Sequence, residues 1–251
     1  MSKPIALQLW AVRAQMKEDF AGTMKQVAAM GYAAVETAAL PVDTEEGARV
    51  FSDLGLKVCS THAGFPNREN GERIIEEQKV LGSDTIVAGF GQDALKDEDG
   101  IKRAAETMQA AVAYAKPYGI RIGLHNHWWE FKTRIGGRPV FDLLMAQAPD
   151  AFSELDTFWT AHGGADPVHV VGRYRARLPM LHIKDGPIEA GRPHTAVGKG
   201  EMDISGLVRA ADPGVLEWLI VELDECATDM MEAVRDSYSY LVSSGLGHGN
   251  K

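Results

Sequence analysis

Short apolar runs recur along the chain: IALQLW (5–10), AAVETA (33–38), KVCSTH (57–62), DTIVAG (84–89), RIGLHNH (121–127), FSELDT (152–157), LPMLHIKD (178–185) and WLIVELD (218–224). Each is rich in Ile, Val, Leu or Thr and bounded by turn or polar residues, the signature of strands buried on both faces of a parallel sheet. Between them, segments 19–30, 44–54, 69–82, 100–117 and 228–243 space their apolar residues at three and four, which predicts helices. Gly31, Gly55, Gly82 and Gly119 follow four of these segments, where a left-handed helix C-cap belongs. Eight alternations of strand and helix predict an α/β fold, a closed (β/α)8 barrel of the TIM type, rather than an open doubly wound sheet. No Pro/Gly/Ser linker divides the chain, so residues 1–251 are expected to form one domain, with the small, polar tail 243–251 mobile.

Composition narrows the partners. A chain of 251 residues, 45% hydrophobic and 24% charged, can build one large core. Its formal charge of −9, from 26 basic and 35 acidic side chains, repels phosphate backbones and anionic membranes, so neither nucleic acid nor membrane is expected as a partner. Cys59 and Cys226 form no disulfide framework. With neither a basic-then-apolar leader nor a membrane-length apolar run, the expectation is a cytoplasmic protein.

In such a barrel, chemistry sits at the C-terminal ends of the strands. The third run ends at His62, and the fifth continues through His125, Asn126 and His127 to Glu130. The sixth ends at Asp156, the seventh at His182, Lys184 and Asp185, and the eighth at Glu222 and Asp224. Glu130, Asp156, His182 and Glu222 come from consecutive strands, and three carboxylates with one imidazole make a hard site suited to Mn²⁺, Mg²⁺ or Co²⁺ and acceptable to Zn²⁺. The remaining candidates carry two readings each. His62 binds a substrate hydroxyl or is structural, and Glu36 reaches the mouth or forms a buried ion pair. Lys184 neutralises an oxyanion or is a structural partner, whereas Asp185 points away from it as a loop residue. Trp10, Trp128, Trp129 and Trp159 lie near strand ends and could cover a sugar ring. Gly198 and Gly200 in VGKGEMD fit a tight turn before a helix capped by Asp203, since the phosphate-loop signature is absent.

LHNHWWEF (124–131), ELDTFW (154–159), LHIKD (181–185), VGKGEMD (197–203) and IVELD (220–224), with the opening IALQLWAVR (5–13), resemble the motifs of the sugar phosphate isomerase/epimerase family. These are xylose isomerase-like barrels that include inosose dehydratases and 3-keto-glycoside lyases and hydrolases. The resemblance implies a divalent metal, usually Mn²⁺, held at Glu130, Asp156, His182 and Glu222. The stretch Gly123 to His125 lacks the glutamate that many epimerases of this family place in strand five. The first ligand is therefore either Glu130 or one of the histidines.

The expected reaction is proton abstraction next to the carbonyl of a keto sugar or keto inositol. His127 or His125 acts as base, with Lys184 and Glu222 assisting, and His62, Trp10, Glu36 and Trp159 hold the substrate. The outcome is isomerisation, epimerisation or, alternatively, a lyase reaction of the inosose dehydratase or 3-keto-glycoside type. An apurinic endonuclease-like activity is disfavoured by the net charge, and a non-catalytic sugar-binding barrel by the metal-ligand set. The partner is a small sugar or cyclitol, and a homo-oligomer is left open. Acidic residues around the loops after strands seven and eight argue against a phosphorylated substrate.

Overall fold

The computed structural model describes residues 2–189 and 191–250. Among these, eight parallel strands close into a barrel: β1 (Lys3–Gln8), β2 (Ala34–Thr37), β3 (Lys57–His62), β4 (Thr85–Ala88), β5 (Arg121–His125), β6 (Phe152–Asp156), β7 (Met180–Ile183) and β8 (Trp218–Val221). Each pairs with its sequence neighbour, and β8 returns to β1 with Ile5 opposite Leu219 and Leu7 opposite Val221. Seven of the eight predicted runs contain a barrel strand, and the first overlaps β1, which starts two residues earlier. β3 fills its run, whereas β5, β6, β7 and β8 stop short of theirs, and the polar residues that follow them leave the ladder at the barrel mouth.

The predicted helices form as Phe20–Met30, Thr44–Asp53, Gly71–Leu81, Glu98–Ala115 and Met230–Ser243. Asp19, Asp43, Asp97 and Asp229 cap four of them by accepting a backbone N–H from the first turn. Gly31, Gly55, Gly82 and Gly119 all have positive φ, as the cap pattern requires. Two apolar layers follow from strand alternation. One, including Leu7, Val35, Ile86, Ile122, Leu155 and Leu181, packs the barrel against its helices. The other, Ala6, Ala34, Cys59, Val87, Phe152, Met180 and Ile220, fills the barrel interior.

Two residues further along these inward-facing files the chemistry changes. Ala6 gives way to Gln8, Ala34 to Glu36, Gly123 to His125, Phe152 to Glu154 and Asp156, Met180 to His182 and Lys184, and Ile220 to Glu222. The barrel is thus an apolar plug with an ionisable layer on top. The C-terminal tail departs from the expected mobility: Gly247 and His248 pair with Lys3 and Pro4, and the Asn250 N–H donates to the Gly31 carbonyl. No helix of the described residues is long and apolar enough to cross a membrane.

Candidate active site

The ionisable layer is a continuous network centred on His182, which is fully buried. Its Nδ1 lies 2.9 Å from Glu222 Oε2. Its Nε2 lies 2.7 Å from Glu36 Oε1 and 3.2 Å from Glu154 Oε2. Burial alone would lower the His182 pKa, but Glu154 and Glu36 raise it well above the ordinary value. Glu154 Oε2 also meets His62 Nε2 at 2.8 Å and His125 Nδ1 at 3.1 Å. Glu36 is held from the other side, its Oε1 accepting from Gln8 Nε2 at 2.7 Å and its Oε2 from Ser60 Oγ at 2.5 Å. Glu36 is therefore the buried ion-pair residue of its two readings, and its oxygens are occupied below the mouth.

Lys184 extends the network toward the opening. Its ammonium lies 2.7 Å from Asp224 Oδ2, 2.9 Å from Glu222 Oε2 and 3.2 Å from Asp156 Oδ2, under the Trp159 ring at 5.3 Å. Burial opposes its charge, and the three carboxylates more than restore it. Asn126 fixes the ends of β5 and β6 by donating to the Asp156 carbonyl and accepting the Asp156 N–H at 2.9 Å. Asp185, which faces away from this cluster as expected, accepts four backbone N–H groups, from Gly186, Gly198, Gly200 and Met202. It thereby folds the 186–203 loop. Gly200 is required there, because a Cβ would stand 2.1 Å from the Gly186 nitrogen. That loop brings His194 onto the Trp159 ring, and His194 Nδ1 accepts the Asp224 N–H at 3.1 Å. Asp203 caps the helix Ile204–Ala210, as the turn reading predicts.

Above the network lies a cavity of about 440 Å³ lined by Trp10, His62, His125, His127, Trp129, Trp159, Lys184, Glu222 and Asp224, among others. A larger hollow, about 530 Å³, sits at the opposite end of the strands. Its Arg121 is already engaged by both oxygens of Glu217, and none of the clustered ligating groups reaches it. The mouth is therefore the candidate site. Its wall includes His127, stacked on Trp129 at 4.1 Å with an 11° interplanar angle, and His127 Nδ1 is buried without a hydrogen-bond partner. Burial and the nearby Lys184 charge lower the His127 pKa to about 4, so the imidazole is neutral near pH 7. At His62, burial acts downward but the Glu36 and Glu154 carboxylates raise the pKa to about 10.

Two sets of ligating groups converge, each with donor atoms within 4.8 Å of one another: Asp156, His182 and Glu222, and separately His62, His125, Glu154 and His182. The structure thus brings together three of the four residues expected to hold a metal. Glu130 does not join them. It sits on the short helix Trp129–Lys132, where its Oε2 accepts the His127 N–H at 2.8 Å and its Oε1 is buried without a partner. Glu130 lies five residues past the end of β5 and outside both clusters, so the histidine alternative in strand five, His125, lies nearer them. Glu154 is the residue that strand-end reasoning missed. Its signal was alternation, since Glu154 and Asp156 occupy the same inward file after Phe152.

Burial raises the Glu130 pKa to about 8, with the Asp156 charge adding to the effect. The folded protein therefore holds a proton that the unfolded chain releases near the ordinary carboxyl value of about 4.3, and stability falls as pH rises from there to about 8. Glu130→Gln removes this loss. Urea midpoints should show the variant gaining on the parent between about pH 5 and pH 9; an unchanged difference across that range would contradict the assignment.

A family model described as the xylose isomerase-like TIM barrel matches residues 24–242. No curated protein matches the chain. Among solved structures, a sugar phosphate isomerase/epimerase from Parabacteroides distasonis ATCC 8503 is similar at 22% identity with a TM-score of 0.81, covering 98% of this chain and 96% of that one. An L-ribulose 3-epimerase is similar at 17% identity and a TM-score of 0.70, covering 98% and 95%. The IolI protein, solved with a bound zinc atom, is similar at 17% identity and a TM-score of 0.72, covering 97% and 99%. At these identities the structural likeness establishes the fold, and the family model spans most of the sequence. The chain belongs to the xylose isomerase-like TIM barrel family.

Proposed function

We propose that this protein is a divalent-metal-dependent enzyme that moves a proton next to the carbonyl of a keto sugar or keto inositol, in the manner of a sugar isomerase or epimerase. The observation that carries this reading is the convergence of Asp156, His182 and Glu222 beside a cavity whose wall holds a neutral histidine, His127. The three residues fit a hard dication: they are buried, offer two carboxylates and an imidazole, and enclose Asp156 Oδ2, whose close cationic neighbour is Lys184. Asp156, His182 and Glu222 would hold the ion, with His125 beside them, and Mn²⁺ suits the oxygen-rich set. When bound, the ion supplies Lewis acidity to a substrate carbonyl oxygen.

The chain's own residues supply the rest. His127, neutral near pH 7 and part of the cavity wall, accepts the proton from the carbon beside the carbonyl. The Lys184 ammonium faces the charge that develops on oxygen. Trp10, Trp129 and Trp159 offer apolar faces for a sugar ring, and His62 offers a polar contact at the cavity floor. Return of the proton to the opposite face gives an epimer, and its delivery to the neighbouring carbon gives an isomer. Loss of a β-substituent gives a lyase reaction. The last alternative is favoured by the second histidine, His125, whose ring centroid lies 5.0 Å from that of His127.

The direct test follows exchange of substrate protons for solvent deuterium by NMR. His127→Ala should retain the metal and lose about 10²- to 10⁴-fold in exchange rate; exchange at the parent rate would place the base elsewhere. The cavity also predicts substrate charge. Among its described lining residues Lys184 is the lysine, already engaged by three carboxylates, and the Arg13 guanidinium beside Trp10 donates to the Trp10 and Asp224 carbonyls. A phosphate group would find no free cation there. Matched free and phosphorylated ketoses, compared by competition at low ionic strength, should show no preference for the phosphorylated partner. Tighter binding of the phosphorylated sugar by tenfold, about 1.4 kcal/mol, would contradict this.

A further inference from the structure

Among the described residues, every ionisable group on the cavity wall except one is held through its own side chain. His62, His125, Lys184, Glu222 and Asp224 each enter an ion pair of the network below. The His127 ring enters none, and its Nδ1 is buried without a hydrogen-bond partner. A catalytic group has to stay within about 0.5 Å of its productive place, so something other than its polar atoms must fix this ring.

Three contacts do so. The backbone N–H of His127 donates to Glu130 Oε2 at 2.8 Å. The ring lies nearly flat on Trp129, at 4.1 Å and 11°, and the Trp129 Nε1–H donates to the Phe90 carbonyl at 3.1 Å. Phe90 is itself stacked on Phe65 at 4.8 Å. Gly89 closes the remaining side: a Cβ there would stand 3.6 Å from His127 Cε1 and 3.9 Å from its Nδ1. With Nδ1 buried on that side, Nε2 is the nitrogen left to meet a substrate.

We infer that Glu130 is a positioning residue for His127, anchoring the chain where it leaves β5 so that the imidazole stands against Trp129 with its free edge in the cavity. The inference rests on the proposed role of His127 as the base. Glu130 suits the task. It is fully buried and sits in the four-residue helix Trp129–Lys132, three residues after His127, within reach of a carboxyl that turns back on the preceding N–H. Of the wall contacts, this bond is the one that acts on the His127 backbone, and the stack on Trp129 then sets the ring plane. Burial keeps the carboxyl protonated near pH 7, so it accepts the N–H without placing a full negative charge beside the imidazole. Such a charge would favour the protonated ring, which cannot act as a base.

The test compares Glu130→Met, which keeps the volume and removes the acceptor, with Glu130→Gln, which keeps an acceptor and the neutral charge. Two readouts are taken on the full-length protein. One is exchange of keto sugar and keto inositol protons into deuterium, resolved into kcat and KM. The other is the NMR signal of the His127 Cε1 proton in ¹³C-histidine-labelled protein, identified by its absence from His127→Gln and shifted upfield by the indole face beneath it. Glu130→Met should lower kcat about 10- to 10²-fold at unchanged KM and move the signal toward the position of a free histidine, and Glu130→Gln should restore both. Parental kcat with the signal in place, or a raised KM at parental kcat, would overturn the assignment. If Glu130→Met does not fold, as judged by circular dichroism, Glu130→Ala is read in the same way. If the parent exchanges no proton of any of these ketoses, the proposed function fails, and the signal decides the anchoring by itself: displaced in Glu130→Met it stands, unmoved it falls.

Discussion

Both ring nitrogens of His182 face carboxylates, and those carboxylates come from strands on different sides of the barrel: Glu36 on β2, Glu154 on β6 and Glu222 just past β8. In a buried, water-poor setting each of these acids would be costly alone. Together with Lys184, which engages Asp156, Glu222 and Asp224, the imidazole turns five acidic groups into one connected network. Removing one member leaves its partners buried and uncompensated, a loss typically far larger than the net value of the pair. The same balance accounts for the electrostatics of the layer. Glu36 and Glu222 are held well below the ordinary carboxyl value despite their burial, because cationic or hydrogen-bonding neighbours outweigh desolvation. Glu154 and Asp156 are raised, since for them burial prevails.

The fold can carry such a layer because the layer beneath it is apolar. Ala6, Ala34, Val87, Phe152, Met180 and Ile220 fill the interior, and a second shell of aliphatic residues packs the strands against the helices. Stability comes from those two shells, and the ionisable layer is where it is spent. The strand files make the division sharp: a two-residue step takes the chain from plug to chemistry. The loops then close the site from above, with Asp185 folding the 186–203 segment so that His194 meets Trp159 and Asp224.

Periodicity made the architecture legible. The eight runs, the glycine caps and the Asp203 cap depend on local spacing and turn chemistry, and the structure reproduces them. The site was legible only in part. Asp156, His182, Lys184 and Glu222 stand where strand-end reasoning places them, because the C-terminal end of a barrel strand is a geometric fact of the fold. Chemical type alone makes Glu130 a ligand candidate, but a short helix after β5 turns its carboxyl back to the His127 N–H. Glu154 lies within its strand, where the strand-end pattern carries no signal for it. Its partnership with His62, His125 and His182 spans sequence separations that only barrel closure brings together. The tail's pairing with β1 is likewise a tertiary event that its polar composition does not announce.

On the proposed function, the acidic excess at this barrel mouth is arranged to receive a divalent ion. Thermal unfolding in Mn²⁺ and in chelator measures this directly, since an ion that binds only the folded state adds about 2.7 kcal/mol of stability at a hundred times its dissociation constant. The melting midpoint should climb with Mn²⁺ concentration in the parent protein and stay flat in Asp156→Asn. A parent midpoint that is the same in Mn²⁺ and in chelator would contradict it.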